Sequence, residues 1–238
     1  MSEICLSENF RLSTARPLLI TGTDTDVGKT YVGGQLVSLL ASRGIGVGVY
    51  KPVASGCHLE PSAEDLPPIL RSSDAQTLWA AAGCPARLED VCPQRFLRPL
   101  APPIAARAEG KEVDRELMIE RARWWQGRCE MLVIEGAGGL LSPLADDFSN
   151  AHLALTLGAD LLVVAANRLG VINHTLLTLV AAEHFGLSVR GVILNQASPD
   201  RDESSSTNAD VLRRSMSVPL VAVLEHAGRL VYSQGAIQ

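Results

Sequence analysis

Five side chains of this sequence have the types needed to manage phosphate and a divalent cation: Lys29, Thr30, Lys51, Asp74 and Glu135. The first two close the stretch Gly22-Thr23-Asp24-Thr25-Asp26-Val27-Gly28-Lys29-Thr30, which follows the apolar run Leu18-Leu19-Ile20 and leads into a helical pattern. Glycines let backbone N–H groups close around phosphate oxygens, and the following helix N-terminus favours negative charge. Lys29 can then reach the outer phosphates and the Thr30 hydroxyl a Mg²⁺ ion, so a nucleoside triphosphate is the expected ligand. Five residues separate Gly22 from Gly28, one more than in the common phosphate-loop pattern.

The other chemistry-bearing residues fall at the ends of apolar runs. Lys51 opens Lys51-Pro52-Val53-Ala54-Ser55-Gly56 after Val47–Tyr50. A lysine there is ordinarily a solvated charge, but at the same rim as the phosphate loop it could neutralise a transferred phosphoryl group. Glu135 ends the run Met131–Ile134 and precedes Gly136-Ala137-Gly138-Gly139, small residues that allow close backbone approach or a tight turn. Asp74, in Ser72-Ser73-Asp74-Ala75, reads either as part of a helix cap or as a carboxylate for Mg²⁺. Thr30, Asp74 and Glu135 make a sensible oxygen set for that ion, which borrows one or two carboxylates and completes its shell on phosphate. Asn195-Gln196 offers amide groups suited to a base edge or to a turn. His174, with no second histidine at metal spacing, reads as a packed or capping residue.

These positions need a scaffold that brings strand ends together. Apolar runs at Leu18–Thr21, Val47–Tyr50, Met131–Ile134, Leu161–Ala165, Val189–Leu194 and Leu220–Leu224 have the composition of strands buried on both faces. Between them, helical spacing covers about Lys29–Ser42, Asp114–Gln126, Ile172–Phe185 and Ala209–Ser215, and Ser72-Ser73-Asp74-Ala75 opens a further expected helix through Ala82. The alternation predicts an α/β fold, a single-domain P-loop NTPase-like unit with a mostly parallel sheet and helices on both faces. In such sheets ligands lie beyond the carboxyl ends of the strands, where the transitions Thr21-Gly22, Tyr50-Lys51, Ile134-Glu135, Ala166-Asn167 and Leu194-Asn195 are expected to meet.

The chain has 238 residues, 47% hydrophobic content and a net charge of −5. One domain over residues 17–238 is expected, after a leader over 1–16 expected to be mobile. The acidic balance and the lack of a long basic run argue against a nucleic-acid partner. No apolar run reaches spanning length and residues 1–16 have no signal core, so a cytoplasmic protein without membrane contact is expected. The cysteines, Cys5, Cys57, Cys84, Cys92 and Cys129, are scattered and odd in number, which fits reduced thiols, and Cys57 reads as an idle one. Glu60–Pro68 and Pro93–Pro103 are expected to be irregular, and the Ser-rich segment Asp200–Asn208 to be mobile. Trp124-Trp125 read as packing residues.

With these stretches in this order over residues 17–225, the sequence resembles dethiobiotin synthetase, whose nucleotide loop carries the extra residue. The match rests on the Gly22–Thr30 loop, Tyr50–Gly56, Ser73-Asp74-Ala75, Val133–Gly139 and Leu169-Gly170-Val171-Ile172-Asn173-His174. It departs from the family at Leu220–Glu225, where relatives tend to carry a Gly-Glu-Ile-Pro-like turn, and at Pro102-Pro103-Ile104, in place of a Ser-Pro-His-like element. The resemblance implies ATP- and Mg²⁺-dependent closure of a cyclic urea on 7,8-diaminononanoate with CO₂, through a carbamate and its mixed anhydride with phosphate. It implies that Lys29 and Lys51 are catalytic and that Thr30, Asp74 and Glu135 hold Mg²⁺. Nucleotide contacts are implied for Asp26, Val27, Gly28, Lys29, Thr30 and Tyr31 of the loop and helix, for Asp74, Glu135, Gly136, Ala137 and Gly138, and for Asn195 and Gln196. Thr25 and Ser55 would face the diamine, and Gly170 and Asn173 its carboxylate across a homodimer interface.

Two other classes fit parts of the pattern. A nucleotide-switched partition-type ATPase shares the loop type but carries an additional lysine near its start, where this chain has Thr23 and Asp24. An amidotransferase-type synthase would need an ammonia source, usually an attached glutaminase, which is not expected within these 238 residues.

Overall fold

The computed structural model describes residues 3–6, 12–61 and 67–232. Its centre is a six-stranded sheet, β1 (Leu18–Gly22), β2 (Val47–Tyr50), β3 (Met131–Gly139), β4 (Asp160–Ala166), β5 (Val189–Asn195) and β6 (Leu220–Leu224), in the order β6-β5-β4-β1-β3-β2. Every pairing is parallel, with Leu18 opposite Val133 on one side and Asp160 on the other. Seven helices of seven or more residues are described: α1 (Lys29–Ala41), α2 (Ser73–Ala81), α3 (Pro102–Ala108), α4 (Arg115–Gln126), α5 (Asn150–Leu157), α6 (Val171–His184) and α7 (Asn208–Ser215). α1 packs on α2, α4 on α5 and α6 on α7.

The near-continuous apolar runs follow from burial on both faces. Alternate residues of β4 enter different cores: Leu162 and Val164 join the large cluster with Leu18, Ile20 and Leu36. Val163 and Ala165 instead meet Val171 and Leu212 beneath α6 and α7. The chain leaves β1 for β2 and returns to β3, which lies between them, before crossing to β4 on the other side of β1. That reversal opens a crevice at the carboxyl end of β1, where a ligand can enter.

Local signals explain most helix starts. The Ser72 hydroxyl accepts from Ala75 N–H at 3.3 Å to cap α2, and Asp114 accepts from Leu117 N–H at 2.8 Å to cap α4. The Pro93–Pro103 stretch is not irregular throughout: Gln94–Arg95 pairs with Val53–Ala54, and α3 begins on Pro102-Pro103. Proline suits a first helical turn, whose N–H groups have no intrahelical partner in any case. In the same way Glu60–Pro68 is partly ordered, since His58–Glu60 pairs with Ile69–Arg71, while residues 62–66 lie outside the described residues. α5 was not legible as a helix in the sequence; a reciprocal cap between Ser149 and His152 starts it and Gly158, at φ 62°, ends it. Trp125 is buried and Trp124 meets it edge-on at 5.1 Å, as packing residues do.

In the leader, residues 3–6 pair in parallel with Arg229–Tyr232, Leu12 is buried, and Arg16 lies 3.1 Å from the buried Asp160. Residues 1–2 and 7–11 lie outside the described residues. The expectation of a mobile Asp200–Asn208 is corrected: Glu203–Ser206 is a short helical turn capped by Asp202, whose carboxylate also accepts from Leu169 N–H at 2.7 Å. Buried Asn208 donates to Asn167 Oδ1 at 3.0 Å and Ser204 Oγ at 3.2 Å, so polar composition here serves specific hydrogen bonds rather than solvation. We expect Asn208→Ala to lower unfolding free energy by ~1–3 kcal/mol, because it leaves Asn167 Oδ1 without its donor. Denaturant titration checks the loss, and amide exchange should show 203–206 opening first.

Candidate nucleotide and phosphoryl-transfer site

The loop between β1 and α1 is shaped by two glycines. A Cβ on Gly22 would lie 2.5 Å from Asp24 O, and one on Gly28, at φ +91°, would lie 2.2 Å from Asn195 Nδ2. Only glycine fits both places. Asn195 reaches across from the end of β5 and donates to Val27 O at 2.9 Å, pinning the loop from behind. Lys29 Nζ folds back to donate to Asp24 O at 3.0 Å, and Thr30 Oγ1 donates to Glu135 Oε1 at 2.8 Å.

Glu135 and Lys51 are both buried, at 0% and 3% exposure. Lys51 Nζ donates to Glu135 Oε1 at 2.6 Å and to Asp74 Oδ2 at 2.8 Å, with Gly136 O at 3.5 Å. Burial alone would lower the Lys51 pKa, but the two carboxylates outweigh it and hold the ammonium above its ordinary value. Burial pushes the Glu135 carboxyl upward against the pull of Lys51. For Asp74 burial acts the same way, yet the charge and hydrogen bond of Lys51 prevail and lower its pKa. Burial, and after it the charge of Lys51, lowers that of Lys29.

Among the described residues no group of three or more His, Cys, Asp or Glu side chains could hold a metal by itself. The donor set nevertheless suits a hard cation that shares its shell with phosphate: one hydroxyl, two carboxylates, and a Glu135 Oε2 that is buried without a partner. Asp74 sits in the first turn of α2 behind its Ser72 cap, so the cap and the carboxylate are separate residues.

These groups open onto a cleft of about 930 Å³. Beside Gly28, Lys29, Thr30, Lys51, Asp74 and Glu135, its lining includes Tyr31, Gln196, Ala197, His226 and Ala227, with Asn195 set against the phosphate loop. A second wall is formed by Ala54, Ser55, the apolar Pro99–Pro102 segment, Ser142 and Pro143. Thr25, Asp26, Ala137 and Gly138 also line the cleft. Val27 is buried beneath the loop and Gly136 reaches Lys51 through its carbonyl. Gly170 and Asn173 are not brought to the cleft: both are exposed at the start of α6, beside Leu169, which is 80% exposed. His174 is exposed as well and has no metal-ligand group around it among the described residues.

Sequence reasoning missed Asn150, which is fully buried and donates to Ala137 O and Gly139 O, both at 2.8 Å, fixing the glycine segment after Glu135. A Cβ on Gly136 would lie 2.2 Å from its Oδ1. It also missed His226 and Ala227, which follow β6 with no motif of their own. Cys57 and Cys92 are buried thiols; burial raises both, Cys92 to about 12, and the four cysteines with described side chains are unpaired.

A family model described as an AAA domain matches residues 16–233. The chain is 45% identical over 227 residues to the ATP-dependent dethiobiotin synthetase of Rhodopirellula baltica, covering 91% of this chain and 87% of that one. It is 36% identical over 208 residues to the Bacillus subtilis protein of the same name, covering 87% and 86%. Among solved structures, chloroplast FtsY of Physcomitrella patens superimposes with a TM-score of 0.51 at 15% identity, over 92% of this chain and 62% of that one, a likeness of fold alone.

Removing the cation while leaving a buried carboxylate is expensive. We expect Lys51→Met to lose ~3–5 kcal/mol of stability. Adding Glu135→Gln to that variant should recover part of the loss, because the uncompensated charge goes with it. Thermal denaturation of the two variants provides the comparison.

Proposed function

The chain belongs to the dethiobiotin synthetase family and is an ATP-dependent ligase of biotin biosynthesis, and we propose that its cleft closes a cyclic urea on 7,8-diaminononanoate with CO₂. The observation that carries the reading of the site is Lys51, buried between Glu135 and Asp74 and one carboxylate away from the phosphate-loop Thr30. A lysine held charged there is poised for an oxyanion that passes from nucleotide to substrate.

In this reading one amine of the diamine adds to CO₂, forming an N–C bond and releasing a proton to give a carbamate. A carbamate oxygen attacks the γ-phosphorus of ATP and the bond to the ADP oxygen breaks. The second amine then attacks the carbamate carbon, phosphate leaves with the attacking oxygen, and the ring is closed. Lys29, Lys51 and the N-terminus of α1 offset the negative charge spread over the phosphoryl and carbamate oxygens, and the loop aligns the reactants. Thr30, Asp74 and Glu135 would hold Mg²⁺, which supplies further charge neutralisation at the phosphates when bound. The diamine would lie along Thr25 and Ser55, with the Pro99–Pro102 wall receiving its alkyl chain. The arm at Asn195 and Gln196 takes the base, although Asn195 spends its amide N–H on Val27 O.

The substrate carboxylate needs an anchor away from the phosphate end. Gly170 and Asn173 lie outside the cleft of their own chain, and Leu169, Leu177 and Val180 around them are 80%, 59% and 62% exposed. Such an apolar stripe on α6 favours a homodimer in which each helix start serves the partner's cleft. A cytoplasmic location suits this chemistry. Among the described residues no helix is long and apolar enough to cross a membrane. A net charge of −5 favours no nucleic-acid partner.

ADP release should require the diamine and bicarbonate together with Mg-ATP; release at the same rate without the diamine would contradict the reading and favour a nucleotide-switched binding protein. Asp74→Asn and Glu135→Gln should each raise the Mg²⁺ needed for half-maximal rate, since a neutral amide replaces a charged oxygen. Mg²⁺ titrations that overlay the parent curve would remove both from the metal set. Hybrids of Lys51→Ala and Asn173-disrupted subunits should regain activity, because one of the two composite sites is then intact. Hybrids verified by mass that stay as inactive as their parents would place the carboxylate anchor within one chain.

A further inference from the structure

Tyr31 follows Thr30 on α1 and lines the cleft, but its hydroxyl is turned away from the phosphate end: it donates to Gly228 O at 2.6 Å, across 197 positions of sequence. Gly228 closes the turn after β6, its N–H donating to Glu225 O at 2.8 Å. Within that turn Ala227 takes φ 54°, a left-handed conformation that costs a residue with a Cβ and persists where its surroundings hold it. Among the described residues, three polar contacts from outside the turn hold it: Tyr31, the Gln196 carbonyl 3.3 Å from His226 Nδ1, and an ion pair from Arg201 to Glu225. Of these only Tyr31 comes from the helix that carries the phosphate loop.

We propose that Tyr31 is a positioning residue that ties the base-side wall of the cleft, His226 and Ala227, to the phosphate loop, so that this phenol-to-carbonyl hydrogen bond strengthens nucleotide binding. The proposal rests on the assignment of the Gln196 and His226 arm to the base. With the triphosphate held at Gly28–Thr30, the distance from phosphate to base wall is set by the span from α1 to Gly228. Without the hydroxyl, Gly228 loses its hydrogen bond to α1, and although Arg229–Tyr232 stays packed on that helix, the turn is freer to relax from the strained Ala227 geometry. The ring itself has a separate task, because it also borders a second cavity of about 580 Å³ lined by α1, α2 and Arg229-Leu230. A substitution that keeps the ring and removes only the oxygen therefore isolates the tie.

The test is Tyr31→Phe in the full chain, with Mg-ADP and Mg-tripolyphosphate binding measured by calorimetry beside steady-state kinetics. Loss of one net hydrogen bond should raise the Kd of ADP and the KM of ATP about 3- to 10-fold. Tripolyphosphate, which has no base, should bind as to the parent, and kcat should stay within twofold. An unchanged ADP affinity, or an equal weakening of ADP and tripolyphosphate, overturns the proposal. A parent protein that binds ADP no more tightly than tripolyphosphate would overturn the base-end assignment and the proposal with it, while leaving the phosphate site standing.

Discussion

The buried ammonium of Lys51 is the charge around which this molecule is arranged. A lysine at 3% exposure is unfavourable unless carboxylates meet it directly, and here two do, at 2.6 and 2.8 Å. Those carboxylates come from the middle of β3, which runs on past Glu135 to Gly139 rather than ending there as the sequence suggests, and from the first turn of α2, and Lys51 itself follows β2. Thr30, from the phosphate-loop helix, completes the cluster on Glu135. No local segment could assemble it. The parallel sheet, with β3 between β1 and β2, brings these segments to a common point near the carboxyl ends of its strands.

Around this charge the loops are fastened by buried asparagines. Asn195 holds the phosphate loop through Val27 O, Asn150 holds the glycine segment through Ala137 O and Gly139 O, and Asn208 holds the turn that precedes α7 through Asn167. A buried amide offers donors and an acceptor without net charge, so it fixes backbone near a charged site without disturbing its electrostatics. Gly28 and Gly136 give way to these side chains: a Cβ at either would strike the fastening amide. Glycine and asparagine are thus paired devices here, one removing bulk where the other must enter.

All six sheet strands were legible, because burial on both faces leaves an apolar run that few other structures need. The phosphate loop was legible because its chemistry demands fixed residue types at fixed spacing. What escaped was set by partners distant in sequence or by tolerance of unusual residues. α3 hid behind Pro102-Pro103, which suits a first turn as well as a loop. Asp200–Asn208 looked solvated because its polar side chains find their partners at Asn167 and Leu169, which composition does not reveal. Asn150 stands 15 residues after Glu135, with nothing local to tell a fastening amide from a surface one. Gly170 and Asn173 were read from a family pattern, and the single chain leaves them on its surface, which is where a site shared between subunits would need them.

The reaction attributed to the cleft requires that an oxygen originating in CO₂ become an oxygen of phosphate. Turnover of unlabelled ATP and diamine with ¹⁸O-labelled bicarbonate, followed by mass analysis of the released phosphate, traces that oxygen directly. One ¹⁸O atom is expected in the phosphate for each ring closed, delivered when the second amine expels the carbamate oxygen. Phosphate released without label, alongside product formation, would mean that the γ-phosphoryl group never passed to the carbamate, and the role given to Lys51 and its carboxylates would fall.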